Sequence, residues 1–160
     1  MKLEERVVQK LIEKDWKITT AESCTGGLLA GRILNVSGVS SVYEEGHITY
    51  SNEAKEKILR VSHDTLEKYD AVSAETAEEM ALGAAKTANA DVALSTTGIA
   101  GPTGATKDKP VGLIYVGCYI SGKVYSKELH LSGTREENRM ETVEEALNFF
   151  LENFPKEERV

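Results

Sequence analysis

The sequence predicts an α/β protein, a three-layer α/β/α sandwich around a mixed, mostly parallel sheet of about five strands. Helical patterns alternate with short β-branched runs through residues 3–98, an order typical of βαβ units, whose strands are parallel. Two later strand patterns are joined by Ser121-Gly122, a hairpin turn that makes a strand antiparallel. A helical stretch around Met80 has a face of small residues, which suits close packing on a sheet. A purely parallel, doubly wound sheet is the alternative.

The first half of the chain begins with an amphipathic helix. Leu3, Val7 and Leu11 recur at helical spacing and predict a helix over residues 3–14. The other elements of this half are predicted strands at 16–20 and 47–50 and predicted helices at 28–34, 53–59 and 64–69.

The second half begins with a longer helix. "SAET" places Ser73 as an N-cap and Glu75 in the first turn, and the pattern continues to about Thr87. "DVALSTTG" indicates a buried strand that ends at Gly98, and "VGLIYVGCYI" and "KVYSKELHL" indicate the hairpin. A last helix is predicted over residues 136–151, with four apolar side chains expected in the core: Met140, Val143, Leu147 and Phe150.

Composition limits the classes of function. We expect residues 1–160 to form a single domain. The net charge of −7 argues against a general nucleic-acid binder, and the absence of a long apolar run or signal peptide favours a cytoplasmic protein without membrane partners. Two cysteines and three histidines without metal-ligand spacing predict neither a disulfide framework nor a metal site, and we expect no cofactor.

"AESCTGG", residues 21–27, joins a strand to a helix through two glycines. Free N–H groups and a positive dipole end at such a junction attract phosphate or carboxylate. Ser23 and Thr25 are candidates either to bind a ligand or to cap the helix. Ordinary capping and turn formation is the competing interpretation, because the segment lacks the Walker A and GxGxxG patterns.

Two further segments also follow predicted strands. The glycines and the proline of "TTGIAGPTG", residues 96–104, exclude a regular helix or strand and allow backbone N–H groups to approach a ligand. "TYSNEAK", residues 49–55, places Lys55 one helical turn after a strand end, where loss of solvent lowers the pKa of an ammonium and makes the amine a base. A solvated surface lysine is the competing interpretation.

Two polar segments complete the set of candidates. "GVSSVYEEG", residues 38–46, contributes Ser40 and Ser41 before a strand. "GTREENR", residues 133–139, places Arg135 at a helix start, where a cation opposes the macrodipole, so an anionic ligand explains it better than helix stability does. Arg139, one turn later, is expected to be solvated.

Taken together and in order, these blocks resemble the CinA C-terminal domain family, which includes stand-alone nicotinamide-nucleotide amidases. The resemblance rests on "TAESCTGG", "YSNEAK", "TTGIAGP.G", "KPVG" and a closing "G.R", and it spans roughly residues 4–152. It implies a three-layer α/β/α fold and hydrolysis of the carboxamide of nicotinamide mononucleotide to the acid and ammonia, without a metal or cofactor. Thr134 and Ala105 stand where the family commonly has aspartate and glycine.

Carried over by position, the resemblance assigns Ser40 as the nucleophile and Lys55 as the base, with Tyr50 beside them. Ser23 is the alternative nucleophile; Cys24 is a third candidate for which packing is the favoured role. The expected substrate-binding residues are Thr25, Gly26, Thr97, Gly98 and Arg135. The expected partners are a small nucleotide substrate and a second copy of the chain in a homo-oligomer. A nucleotide-binding regulatory module, an idle relative and an amidase for another amide are the alternatives.

Overall fold

The computed structural model describes residues 1–156. Helices and strands alternate through the first three strands, and the chain then closes with a hairpin and a long helix. The elements are α1 (Leu3–Lys14), β1 (Ile18–Glu22), α2 (Leu28–Leu34), β2 (His47–Ile48), α3 (Asn52–Leu59), α4 (His63–Tyr69), α5 (Ala74–Ala88), β3 (Val92–Gly98), β4 (Leu113–Ile120), β5 (Lys123–His130) and α6 (Arg135–Asn153). A short 3₁₀ turn, Val39–Ser41, precedes β2.

The sheet is mixed, with strand order β2-β1-β3-β4-β5. β1 is parallel to both β2 and β3, whereas β4 is antiparallel to β3 and β5. Four of the five strands therefore run in one direction. The predicted mixed, mostly parallel sheet is confirmed, and the purely parallel alternative is wrong because the hairpin reverses β4.

Helices cover both faces of this sheet. Side chains of α1, α2 and α6 pack on one face, around Leu11, Leu29 and Phe150. α3, α4 and α5 pack on the other, around Leu59 and Met80. The predicted three-layer α/β/α arrangement is confirmed.

The small-residue face of α5 packs within the chain. Ala77, Met80 and Ala81 are fully buried. Gly83 permits the close approach of α3, because a Cβ at this position would lie 1.7 Å from the carbonyl oxygen of Leu59. This face is therefore unavailable to a second subunit, and the expected homo-oligomer stays a prediction.

The start of α6 differs from the prediction. Met140, expected in the core, is 54% exposed and lies beside Leu28 in a surface groove. Asn138 takes the inward position instead, where its Nδ2 atom donates to the carbonyl oxygens of Ala100 (3.0 Å) and Gly133 (3.1 Å). These bonds satisfy a buried amide, so the polar side chain faces inward at this turn.

The strand boundaries differ slightly from the predicted ones. β1 begins at Ile18 rather than residue 16, and β2 is limited to two residues. Trp16 packs its ring against Phe154, with 5.9 Å between the ring centroids, instead of entering the sheet. Within residues 1–156, no helix combines the length and apolar character that crossing a bilayer requires.

Candidate active site

A cavity of about 570 Å³ lies where the parallel strands β1, β2 and β3 end. The carboxyl ends of parallel strands are the usual place for ligands in α/β sheets. Separate segments of the chain form the walls: Ser23 and Cys24, Tyr50 and Lys55, Ala71 and Val72, residues 97–104, and Arg135. The volume is within the range of small-molecule sites.

Lys55 is the buried cation of this cavity. Ser51 caps α3 by accepting the N–H of Ala54, which places Lys55 in the first turns of the helix with 1% of its surface exposed. Its Nζ atom donates to the carbonyl oxygens of Thr49 (2.9 Å) and Tyr50 (3.3 Å). The interpretation of Lys55 as a solvated surface residue is therefore wrong.

Burial lowers the pKa of Lys55 from 10.5 to about 8. Desolvation destabilises the ammonium, and the hydrogen-bond partners of Nζ are neutral oxygens rather than carboxylates. At pH 7 about one tenth of such a lysine is the neutral amine, the form that accepts a proton.

Ser23 is the serine that contacts Lys55. It follows β1 directly, and its N–H donates to the carbonyl oxygen of Thr96 at 3.0 Å, which extends the pairing of β1 with β3. The distance between Lys55 Nζ and Ser23 Oγ is 3.0 Å, and Ser23 is 8% exposed. A nucleophile and a base at this separation are within reach of direct proton transfer.

Ser40 lies elsewhere in the chain. It is exposed in the 3₁₀ turn before β2, and it is not among the residues of 1–156 that line the cavity. The expectation that Ser40 and Lys55 share one cleft is therefore not met within this chain. The turn before β2 contributes no residue to the cavity wall, whereas Ser23 directly follows β1 and lines the cavity.

Cys24 also lines the cavity, but its thiol is not activated. Burial raises the pKa of Cys24 to about 11, so the side chain stays a thiol near neutral pH. This environment supports the packing role favoured from the sequence. Among residues 1–156, no three His, Cys, Asp or Glu side chains form a group suited to a metal ion.

The N-terminus of α2 is occupied by the side chain of Glu22. The N–H groups of Leu29 and Ala30 donate to its carboxylate at 2.8 and 3.1 Å, and the Thr25 hydroxyl donates at 2.6 Å. Glu22 is 1% exposed and Thr25 is fully buried. The expected anion site of this junction is thus filled by the protein's own carboxylate.

Thr25 and Gly26, expected to bind substrate, consequently lie outside the cavity walls. Gly26 adopts φ 55°, and a Cβ at this position would lie 3.2 Å from Nη2 of Arg139. Arg139 donates to the carbonyl oxygens of Cys24 (2.9 Å) and Thr25 (3.1 Å). The expectation that Arg139 is solvated is wrong, since its guanidinium holds the turn that carries Ser23 and Cys24.

Arg135 stands at the rim of the cavity, as expected for an anion-binding residue. Its Nη1 atom donates to the carbonyl oxygen of Gly101 at 2.8 Å, and its Nη2 atom donates to the Tyr50 hydroxyl at 3.2 Å. Tyr50 is 65% exposed, so its ring is accessible at the entrance. These bonds hold the guanidinium beside the mouth and leave it without a carboxylate partner among residues 1–156.

Thr97 and Gly98 line the cavity at the end of β3. The Thr97 hydroxyl donates to the carbonyl oxygen of Ala71 at 2.8 Å, which leaves its lone pairs for a ligand. Only glycine fits at position 98, because a Cβ there would lie 2.5 Å from the Cα of Ile114. Their role in substrate binding stays a prediction.

Sequence reasoning missed Glu22, Asn138 and Arg139, which shape the site through contacts with the main chain. Glu22 and Asn138 are polar residues at buried positions, and Arg139 bonds to the main chain although its position in the helix predicts a solvated side chain. Glu22, at the end of a β-branched run, carried the clearest signal, because an isolated acid in a buried strand needs hydrogen-bond donors nearby.

The fold and the cavity define an α/β/α protein with a ligand-sized polar site at the carboxyl ends of its parallel strands. The chain belongs to the CinA C-terminal domain family, whose model matches residues 1–154. The resemblance drawn from the sequence blocks is therefore confirmed.

Relatives with similar sequences include proteins named competence-damage inducible protein. One from Clostridium novyi (strain NT) is 59% identical over 147 residues, which cover 92% of this chain and 36% of the relative. One from Alkaliphilus metalliredigens (strain QYMF) has the same identity and coverage. The chain thus spans little more than a third of the length of these curated relatives.

Solved structures share the fold over nearly the whole chain. The crystal structure of a competence-damaged protein (CinA) superfamily protein from Escherichia coli is 39% identical, with a TM-score of 0.91 over 93% of this chain and 87% of that chain. The competence/damage inducible protein CihA from Agrobacterium tumefaciens is also 39% identical, with a TM-score of 0.90 over 94% of this chain and 92% of that chain.

Proposed function

We propose that this protein hydrolyses the carboxamide of nicotinamide mononucleotide to nicotinic acid mononucleotide and ammonia, with Ser23 as nucleophile and Lys55 as general base. The observation that carries this proposal is the 3.0 Å contact between Lys55 Nζ and Ser23 Oγ inside the cavity. The family resemblance supplies the substrate, and the site supplies groups suited to the reaction.

In the first step the neutral amine of Lys55 takes the proton of the Ser23 hydroxyl while Oγ attacks the amide carbon. The tetrahedral intermediate then collapses, the C–N bond breaks, and the Lys55 ammonium returns the proton to the departing nitrogen, so ammonia leaves and an ester to Ser23 remains. Water, deprotonated by Lys55, then attacks the ester. The bond between the acyl carbon and Oγ breaks, the Lys55 ammonium returns the proton to Oγ, and the acid leaves with Ser23 and the neutral amine restored.

The developing oxyanion requires hydrogen-bond donors that are already in place. Within residues 1–156, the N–H groups of Cys24 and Ala100 donate to no other residue, and both residues line the cavity. The N–H of Cys24 is adjacent to the nucleophile in sequence. These two groups are the donors that we assign to the oxyanion.

Arg135 is the group that we assign to the phosphate. A guanidinium pairs with phosphate through two parallel hydrogen bonds, and a protein of net charge −7 needs such a local cation to attract an anion. The exposed ring of Tyr50 beside it offers a surface on which the pyridine or ribose can pack.

Release of ammonia from nicotinamide mononucleotide, measured without added metal, tests this function. The wild-type chain is expected to release ammonia, and Ser23→Ala is expected to release none above background. A panel of nicotinamide mononucleotide, nicotinamide riboside and nicotinamide separates a nucleotide amidase from an amidase for another amide. Tight binding of the nucleotide without ammonia release would indicate the regulatory binding module instead.

A further inference from the structure

The segment between α4 and α5 forms one wall of the cavity, through Ala71 and Val72. Its backbone departs from regular structure at Asp70, which adopts φ 66°. The carbonyl oxygen of Asp70 accepts from the Ser73 hydroxyl at 2.9 Å and from the Thr76 hydroxyl at 2.7 Å. The start of α5 therefore fixes the first peptide group of this wall.

Lys109 and Thr97 fix the peptide groups on either side of it. The Nζ atom of Lys109 donates to the carbonyl oxygens of Tyr69 (2.7 Å) and Val72 (2.8 Å). The Thr97 hydroxyl donates to the carbonyl oxygen of Ala71 at 2.8 Å. Four consecutive carbonyl groups, from residue 69 to residue 72, are thus held by side-chain donors.

This arrangement sets the direction of the intervening N–H groups. In a trans peptide the N–H points away from the carbonyl oxygen of the same plane, so carbonyls drawn towards these donors turn the following N–H groups to the other side. Within residues 1–156, the N–H groups of Ala71, Val72 and Ser73 donate to no other residue. Ala71 and Val72 are half-buried and line the cavity, so their N–H groups are open to an acceptor that enters it.

Lys109 connects this wall to the wall that residues 99–104 form. It lies in the loop of residues 99–112, whose base is closed by hydrogen bonds of Ile99 with Leu113 (2.9 Å) and of Gly112 with Ile99 (2.8 Å). The first part of that loop, residues 99–104, lines the cavity. The Lys109 ammonium also lies 3.5 Å from the Asp70 carboxylate, which adds an ion pair to its two carbonyl contacts.

We propose that Lys109 is a positioning residue for the substrate, acting as a clasp between the 99–112 loop and the Ala71–Val72 wall. The clasp fixes the peptide groups on either side of the Ala71 and Val72 N–H groups, whose own peptide planes are held by Ser73, Thr76 and Thr97. It thereby keeps the segment in place, so that these two N–H groups bind an oxygen acceptor of the substrate. The inference rests on the proposed function for the identity of that substrate. It also accounts for the lysine of the "KPVG" motif, which the catalytic residues leave unexplained.

Steady-state kinetics of three variants with nicotinamide mononucleotide test the effect on binding. Lys109→Met removes the ammonium and keeps the length of the side chain, so we expect KM to rise about tenfold or more while kcat changes by less than about threefold. Lys109→Arg, which retains donors for the carbonyls, is expected to recover most of the loss. Lys107→Met, an exposed lysine of the same loop, is the matched control and is expected to match the wild type.

Hydrogen exchange without any ligand tests the clasp independently of the reaction. Lys109→Met is expected to speed exchange in peptides that cover residues 69–73 and 99–104, and Lys107→Met is expected to leave it unchanged. Unchanged exchange in Lys109→Met overturns the clasp, whatever the reaction. Faster exchange with an unchanged KM, or an equal loss of kcat, overturns the role in binding. A wild-type chain that releases no ammonia overturns the proposed function and with it the substrate, while exchange still decides the clasp.

Discussion

The Nζ atom of Lys55 lies 3.0 Å from the Oγ atom of Ser23, with both side chains buried at the end of the parallel strands. The two residues are 32 positions apart in the chain and come together because β1 and α3 deliver them to the same cavity. This pair is the basis of the first three predictions.

Replacement of each candidate serine distinguishes the two nucleophiles. We expect Ser23→Ala to lower kcat for ammonia release by about a thousandfold or more, because the acyl-enzyme cannot form. Ser40→Ala is the matched control, and near-normal turnover is expected since Ser40 is exposed outside the cavity. A loss of turnover confined to Ser40→Ala would show that Ser40 attacks and would reverse our assignment.

The pH dependence of kcat/KM reports the base. Because burial lowers the pKa of Lys55 to about 8, the neutral amine is the minor form at pH 7 and becomes the major form above pH 8. We expect kcat/KM to rise about tenfold per pH unit below this value and to level off above it. A profile that keeps rising towards pH 10 would mean that the lysine is not desolvated in solution.

Lys55 is also expected to lower the stability of the fold. Its pKa is about 8 when folded and 10.5 when unfolded, so the unfolded chain binds more protons between these values and stability rises with pH across that window. At pH 7 the lowered pKa of Lys55 corresponds to a loss of about 3 kcal/mol in the free energy of unfolding. Replacing Lys55 by Met removes this loss but leaves its acceptor oxygens without a donor, which costs about 1–2 kcal/mol. Lys55→Met should therefore be inactive yet about 1–2 kcal/mol more stable.

Urea unfolding at pH 7 and pH 10 measures this effect. The gain of Lys55→Met over the wild type should shrink at pH 10, where the lysine of the folded protein is neutral. Lys57→Met, on the exposed side of α3, is the control and should change stability little at either pH. A Lys55→Met protein less stable than the wild type at pH 7 would show that the buried ammonium contributes net stabilisation.

Arg135 is expected to determine affinity for the phosphate. Arg135→Gln should raise KM for nicotinamide mononucleotide by about tenfold to a hundredfold, because charge-assisted hydrogen bonds to a phosphate are lost. Activity with nicotinamide riboside, which lacks the phosphate, should change little. Arg6→Gln, an exposed substitution on α1, controls for the change in net charge. Equal losses with both substrates would remove Arg135 from phosphate binding.

Thr134, which stands where the family commonly has aspartate, is expected to serve the fold rather than the substrate. It caps α6 by accepting the N–H of Glu137 at 3.3 Å, and Glu137 accepts the N–H of Thr134 at 3.0 Å in return. Thr134→Ala should lower the free energy of unfolding by about 1 kcal/mol, and Thr134→Asp should retain it. Both variants should keep KM near that of the wild type; a KM change in Thr134→Asp alone would tie this position to Arg135.

Local patterns predicted most of the architecture. The first helix, the Ser73 cap, the buried strand that ends at Gly98 and the hairpin at Ser121-Gly122 are confirmed because each depends on residues close in sequence. Met140 was misassigned because the helical period cannot reveal that Asn138 bonds to a distant loop. Local patterns are blind to such partners.

The sequence predicted only part of the candidate site, because several of its contacts join residues that are distant in the chain. Lys55, Ser23 and Arg135 were identified because each follows a strand or begins a helix at one edge of the sheet. The sequence could not rank Ser23 over Ser40, because the choice depends on which loop reaches Lys55. The contacts of Lys109 with carbonyls 37 and 40 residues away leave no pattern in the sequence.

The Glu22 carboxylate at the start of α2 has a consequence for the direction in which a nucleotide enters. The carboxylate already neutralises the N-terminus of α2, so for the proposed nucleotide substrate we expect the phosphate to bind beside Arg135 rather than at the end of β1. The carboxamide end of the proposed substrate is then expected to point into the cavity. In the proposed function, a carboxylate outside the cavity walls thereby helps to orient the substrate.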